Sequence, residues 1–312
     1  MIIVGAGLSG LIAASMLRDQ VDSIWEKQKT IPNNHSALLR FRSSVVGDAV
    51  GIPFKKVKVI KAVEKYGNDV ADAISYSLKC TGKAELRSII KSSSEIEERY
   101  VAPDDFIQRL AKQVESKVIY NESLNIGGAY PVPGASIIST IPMPILMDIL
   151  GWENKPEFDY MPGTVITCDL PENIDIYATV YFPSPRMIPY RASITGRHLM
   201  IEISGKFLDE GPASRFSIMD TLNAFGFGAD IKEFVLDNYF VKEMTYAKIT
   251  PIDESIRKRF ILWASEHHNI YSLGRFATWR PGLLLDDIVN DVRVIQRLAG
   301  GDKAAVYKAR KI

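Results

Sequence analysis

An α/β chain, in which a parallel-sheet domain is interrupted by a mostly antiparallel sheet, is predicted by three observations. A short apolar strand at Ile2 to Val4 runs into a glycine turn and a helix. Strand and helix patterns then alternate to about residue 150 and return after residue 248. Between them, from Gly163 to Ile203, strand-like runs follow one another with only proline and glycine turns between.

The elements follow in order. After Gly5-Ala6-Gly7-Leu8-Ser9-Gly10, helical character continues over Leu11 to Leu17, and Val21 to Trp25 is a second apolar run ending at Glu26. Asn33 to Ser44 is polar and loop-like; Val57 to Val63 reads as a strand. Asn68 or Asp69 caps a helix running to Gly82, and Ala84 to Lys91 suggests a short helix. Pro103-Asp104-Asp105 opens a helix with Phe106, Leu110 and Val114 on one face, leading to a strand at Lys117 to Tyr120. Ser136 to Ile141 is another apolar strand, followed by Pro142 and a helix to Leu150. Thr164 to Cys168, Ile176 to Phe182 and His198 to Ile203 are the strands of the inserted region, and helical periodicity returns from Ser217 to Leu236. The last strand is Asn269 to Leu273, and the last helix about Asp286 to Ala299. This gives a discontinuous α/β domain from 1–45, 100–150 and 248–312, a small α/β insertion at 46–99, and a sheet domain at 151–247.

Composition narrows the class. Among 312 residues, 46% are apolar and 24% charged, the balance of a folded enzyme rather than a disordered or membrane-spanning chain. A net charge of +1 gives no global reason to expect nucleic acid or an acidic partner. Cys80 and Cys168 are far apart and form no CxxC pair, and the four histidines (His35, His198, His267, His268) have no metal-ligand spacing, so no metal is expected. Met1 to Leu17 is apolar, but it lacks a basic segment and carries three glycines at fixed spacing. A cytoplasmic, non-membrane protein is the expectation.

Those glycines have distinct physical roles. Gly5 permits the tight turn out of the strand, Gly7 lets the backbone approach a pyrophosphate, and Gly10 lets the helix pack against the sheet. The helix N-terminus, with Ser9 in its first turn, presents free N–H groups to the phosphates. Glu26 stands 21 residues after Gly5, where its carboxylate accepts from ribose hydroxyls, with Lys27 beside it. Strand, helix and terminal carboxylate in register indicate dinucleotide binding, with FAD and NAD level.

A remote segment separates the two. Ile270-Tyr271-Ser272-Leu273-Gly274-Arg275, then Trp279 to Asp287, resembles the closing motif of the FAD-dependent family that includes amine oxidases, protoporphyrinogen oxidases and UDP-galactopyranose mutases. The resemblance implies a Rossmann-like FAD-binding domain with FAD as cofactor. It puts Gly274 and Arg275 at the strand end, and the backbone donors of Gly282, Leu283 and Leu284 toward the flavin pyrimidine ring. Tyr100 to Pro103 and Lys117 to Tyr120, with Val118, resemble the part packing beside adenine, and Ser136 to Pro142 resembles a later strand. Roughly half the chain is covered.

Within that family the likeness is to the mutase branch. Lys248-Ile249-Thr250-Pro251 and Gly274 to Arg280 are similar to its "Y-P-x-P … G-R-L-G-x-Y-R" pattern, and Ile188-Pro189-Tyr190-Arg191 to its "P-Y-T-R" strand. On that analogy Arg191 and Arg280 meet substrate near the flavin. The chain departs where mutases carry a Gly-Gly pair, having Ile31 to Ser36 instead, and it is shorter than a typical mutase. Ala73 to Lys79 resembles small flavoproteins encoded in bacteriophage genomes.

Other candidates come from residue chemistry. Arg40 and Arg42, with Ser36 and Ser43, follow the second strand, where a guanidinium suits a pyrophosphate; a plain surface arginine is the competing reading. His35 is a candidate general base. Tyr177, Tyr181, Tyr190 and Arg191 lie on inserted strands, the tyrosines either caging a substrate or packing the sheet. Arg191 and Arg280 suit a carboxylate or phosphate. His267 and His268 read as structural, in a surface turn. Lys55, Lys56, Lys58 and Lys61 form a basic run that is more often a solvated face than a nucleic-acid patch. The function expected is an FAD-dependent oxidoreductase acting on a C–H bond next to an amine. Its substrate would be amino-acid-like, as a small molecule or carried on a modified nucleobase. The alternatives are mutase-like non-redox flavin chemistry and a non-catalytic flavin- or nucleotide-binding module.

Overall fold

The structure, a computed structural model, describes residues 1–31, 40–86, 94–124, 134–205 and 211–301. In chain order its strands are β1 (Ile2–Val4), β2 (Ser23–Glu26), β3 (Arg40–Phe41), β4 (Lys55–Val63), β5 (Ser94–Val101), β6 (Val118–Tyr120) and β7 (Ile137–Ser139). They continue as β8 (Tyr160–Asp169), β9 (Ile176–Tyr181), β10 (Arg191–Gly196), β11 (His198–Ser204), β12 (Tyr239–Ile249) and β13 (Ile270–Ser272). The helices are α1 (Leu8–Leu17), α2 (Val45–Val50), α3 (Asp69–Thr81), α4 (Phe106–Val114), α5 (Met143–Ile149), α6 (Pro212–Ala224), α7 (Ala229–Leu236), α8 (Glu254–His268) and α9 (Leu285–Ala299).

Strands covered on both faces are buried throughout, as β1, β7 and β13 are. With β2 and β6 they form an all-parallel sheet in the order β13-β7-β1-β2-β6. The chain moves outward from β1 to β2 and β6, then returns to β7 on the other side of β1. The crevice at the carboxyl ends of β1 and β7 is therefore the topological switch point, where such sheets bind nucleotides. Around Leu11, Ile12, Leu110 and Val289 one face is covered by α1, α2, α4 and α9. Met147, Phe260 and Trp279 anchor the second cluster, with residues of α5 and α8. Helix α1 is apolar on every side, with Leu11, Ile12, Ala13 and Ala14 fully buried, so it needs neighbours all round.

The second sheet has eight strands in the order β12-β8-β11-β10-β9-β4-β5-β3, antiparallel except for the β4–β9 pair. The stretch 46–99, read from sequence as a small α/β insertion, contributes β4 and most of β5 to this sheet. Its link is the parallel register running from Ile60 opposite Ala178 to Val63 opposite Tyr181. The sheet is curled. Arg40 on the edge strand β3 donates to Thr179 Oγ1 on β9 at 2.7 Å, although three strand spacings would be about 14 Å in a flat sheet. Behind the sheet α6 and α7 pack on Ile166, Ala192, Ile194 and Ile201. Lys79 of α3 donates to the carbonyls of Phe182, Ser184, Met187 and Pro189 at 2.7–2.9 Å, anchoring the turn that leads into Tyr190 and Arg191.

Several elements differ from their sequence reading for physical reasons. The helical stretch 217–236 is two helices, because Gly226 takes φ +78 between them. His267 and His268 occupy the last turn of α8, not a surface turn, and their rings lie 5.8 and 4.6 Å from that of Trp263. Asp253 caps that helix by accepting from the Ile256 amide. No helix among the described residues is long and apolar enough to cross a membrane.

Two glycines of the first turn make opposite demands. A Cβ on Gly10 would stand 2.0 Å from the Gly5 carbonyl oxygen, whereas one on Gly7 meets nothing within 4 Å. Gly10→Ala should therefore cost about 2–3 kcal/mol in urea unfolding, and Gly7→Ala about 1 kcal/mol or less. Equal midpoints for the two variants would contradict this packing.

Candidate active site

Three chain segments meet at the start of α1. Gly5 ends β1 at φ +100, and a Cβ there would fall 2.1 Å from Thr140 Oγ1, which itself donates to the Val4 carbonyl at 2.9 Å. Gly274, just past β13 at φ +97, presses on Ser9: a Cβ would lie 2.8 Å from its Oγ. The N-cap Gly7 receives no side-chain cap, so the first-turn amides of α1 open onto the same space that an added Cβ would enter. Glu26 is buried at the end of β2. The Ala6 amide donates to its Oε2 at 2.8 Å and the Gln28 amide to its Oε1 at 2.9 Å, fixing the carboxylate at the rim of the crevice with lone pairs to spare. Lys27 is exposed beside it, and Val118 stands opposite Ile24 on β6. An open glycine cradle, an oriented carboxylate and a bare helix N-terminus fit the pyrophosphate and ribose of a dinucleotide.

The C-terminal motif sits differently from its sequence reading. Leu283 N–H donates to the Arg280 carbonyl at 3.1 Å, and Leu284 N–H to Asp287 Oδ2 at 2.8 Å. Two of the three backbone donors assigned to the flavin are thus engaged within the chain; Gly282 is exposed with open space around its α-carbon. Asp286 accepts from the Ser43 amide and hydroxyl, both at 2.8 Å, and from the Arg42 amide at 3.2 Å. Carboxylates in the first turn of α9 occupy the place of an anionic ligand, a favourable arrangement for the helix dipole. Between Gly274 and Arg280 the backbone is tightly wound. Trp279 is held at φ +46 by burial and by its indole N–H donating to the Thr250 carbonyl at 3.0 Å.

Arg280 and Arg191 line separate cavities. Arg280 pairs with Asp291 of α9 and, with Arg257 and Asp287, borders a cavity of about 440 Å³. Arg191 lies on the concave face of the second sheet. Strand alternation places Arg40, Lys61, Arg99, Thr179, Tyr181, Arg191 and Ser193 together around a cavity of about 240 Å³. Directly opposite Arg191 on β11, Glu202 forms a two-point ion pair with it and accepts from Tyr190 Oη at 2.9 Å. Burial pushes the Glu202 carboxyl up, but Arg191 and these hydrogen bonds outweigh it and hold the group at about 2. Arg40, a candidate for the pyrophosphate, points into this same cavity. Burial and then Arg191 pull it down to about 10.

Lys248 is the residue that sequence reasoning missed. It follows a register shift between Met244 and Lys248 on β12, a device that re-aims side chains, and its ammonium lies 4.6 Å from the Tyr190 ring centre. Burial, then Arg191, pull it down to about 8. Glu202, Lys61 and Arg99 were also missed as site residues. Their only signal is the polar member of a period-two pattern, which does not say what the face looks at. Tyr181 borders the cavity, while Tyr177 hydrogen-bonds Lys55 at its margin. In the basic run, Lys55 pairs with Asp175, Lys56 with Glu98 and Lys61 with Glu97. His35 and Ser36 lie outside the described residues.

No family model matches the chain, and no curated protein matches it in sequence. Solved structures do match in shape. A reduced UDP-galactopyranose mutase superposes with a TM-score of 0.67 at 14% identity, over 99% of this chain and 96% of that one. The fold is that of the FAD-binding, Rossmann-like flavoproteins. A geranylgeranyl bacteriochlorophyll reductase-like protein from Thermoplasma acidophilum follows at 0.54 and 13% identity, covering 99% of this chain and 81% of its own. A 2-methyl-3-hydroxypyridine-5-carboxylic acid oxygenase gives 0.57 at 12%, with 99% and 85% covered.

Burial lowers Lys61, Lys79 and Lys248 alike, each to about 8. Between there and the ordinary lysine value the unfolded chain holds protons that the folded chain has lost, so stability should rise with pH over that window. Urea unfolding at pH 7.5, 8.5 and 9.5 should show the rise, with a shallower slope in Lys248→Met. An unchanged slope in that variant would mean Lys248 is not depressed.

Proposed function

We propose that this protein is an FAD-dependent oxidoreductase acting on a C–H bond beside an amine, with the reaction at the junction of the two sheets. The observation that carries the reading is the contact of Gly274 with Ser9. It joins the dinucleotide cradle of α1 to the Gly-Arg turn, and Arg275 of that turn is among the charges felt by Lys248. A dinucleotide laid along α1 would then extend toward the polar face of the second sheet.

Bound there, FAD would supply a two-electron acceptor. The chain's own residues do the rest. Glu26 accepts from the ribose hydroxyls, and Gly7 admits the pyrophosphate. Arg191, kept charged by Glu202, orients an acidic group of the substrate. Lys248, lowered by burial to about 8, would in its neutral form accept the proton that an ammonium substrate must lose before its C–H bond is oxidised. The amine is amino-acid-like, either free or attached to a modified nucleobase.

A mutase-like, non-redox use of the flavin is the second reading, favoured by a superposition that spans 96% of a mutase chain. Anaerobic mixing of the purified protein with amino acids, amine-bearing nucleosides and UDP-galactose separates the two. Bleaching of the flavin by an amine, slowed at least tenfold in Arg191→Met, is the expected result. Turnover of UDP-galactose only after dithionite reduction, with no amine bleaching, would overturn the redox reading in favour of the second.

A further inference from the structure

The concave face of the second sheet holds more positive charge than its directly paired carboxylates match. Arg40, Lys61, Arg99 and Arg191 come from β3, β4, β5 and β10, and alternation turns all of them to one side around the same cavity of about 240 Å³. Two carboxylates pair with them directly, and Glu95, opposite Lys61 in register, and Asp286 act on them from farther away. Glu97 pairs with Lys61 and Arg99; Glu202 pairs with Arg191 and accepts from Tyr190. Four cations thus line the cavity against two directly paired carboxylates. Arg40 makes the imbalance concrete. Its Nη2 donates to Thr179, while its Nη1 is buried with no partner among the described residues. Thr179 and Ser193 hydroxyls, 2.8 Å apart, add neutral donors to the cavity wall.

We propose that this cavity seats a compact dianionic head group, a phosphoryl group, carried by the substrate. Three features select that chemistry. A phosphomonoester carries about −1.5 to −2 at neutral pH and offers three oxygens, so it can meet several of these cations at once where one carboxylate meets fewer. Guanidinium forks on Arg40 and Arg99 suit tetrahedral oxygens at several angles. The cavity, about 240 Å³, has room for a head group of that size. The crowding of like charge is felt at Lys61, which burial and then Arg99 draw down to about 8. Arg191, Glu202, Tyr190 and Lys248 connect the cavity wall to the neighbourhood of Arg275, and on the flavoenzyme reading the head group sits at one end of the substrate and the oxidised carbon at the other. The inference deepens the flavoenzyme reading and rests on it only for that second end.

The test is calorimetric titration of the purified protein, as isolated and with its flavin content measured, using inorganic phosphate, sulfate, malonate and acetate at low ionic strength. Phosphate and sulfate should bind at least tenfold more tightly than acetate, with malonate weaker than phosphate. Arg99→Met and Lys61→Met should each weaken phosphate at least tenfold, and Lys61→Arg should restore it. Phosphate-dependent protection against thermal unfolding, lost in the same variants, gives a second readout if one variant is poorly soluble. Acetate binding as tightly as phosphate, or phosphate binding untouched in both Met variants, would overturn the proposal. So would phosphate displacing bound flavin, since the cavity would then belong to the cofactor's pyrophosphate. A colourless protein that still binds phosphate through Lys61 and Arg99 would sustain this proposal and defeat the flavin reading alone.

Discussion

Close backbone approach around the start of α1 is the constraint from which the rest follows. Gly5 has no room for a Cβ beside Thr140, Gly10 none beside the Gly5 carbonyl, and Gly274 little beside Ser9. These contacts bring β1, β7 and the turn after β13 to one point, although they are more than a hundred residues apart in sequence. Because the turn is held there, the crevice at the switch point has a fixed floor. Gly7 alone among these glycines faces open space, which is what distinguishes a ligand-facing glycine from a packing one.

The second sheet works through a different physical device. An antiparallel sheet commonly buries one face and leaves the other wet. Here the apolar face is closed by α6 and α7, and the polar face is half enclosed by the sheet's own curl. Partial enclosure strengthens each electrostatic interaction on that face relative to open water. Glu202 stays ionised in spite of burial because Arg191 stands opposite it in register, and the same environment depresses Lys248, where burial and Arg191 outweigh the pull of Glu202. One enclosed face thus holds a fixed ion pair and a titratable amine side by side.

Much of the parallel-sheet domain was legible in the sequence, because each of its parts has a local signature: an apolar run, a glycine turn, a carboxylate after the second strand. The second sheet was less so. β5 is a strand only because residues such as Glu97 and Arg99 find partners on β4, and its charged sequence carries no apolar alternation to announce this. β12 and α8 escaped for similar reasons of tertiary context. Arg191 was picked out as a residue, but its partner Glu202 and the company of Arg40, Lys61 and Arg99 depend on pairings between distant strands. Arg280 shows the converse. A local motif marked it, yet Asp291 on the following helix claims its guanidinium and turns it to another cavity.

Identifying the nucleotide released on denaturing the purified protein tests the account most directly. The geometry around Gly7, Glu26 and Gly274 predicts FAD, close to one molecule per chain, with its yield reduced in a Gly7→Val variant that remains folded. A colourless protein that binds NAD and no flavin would contradict it.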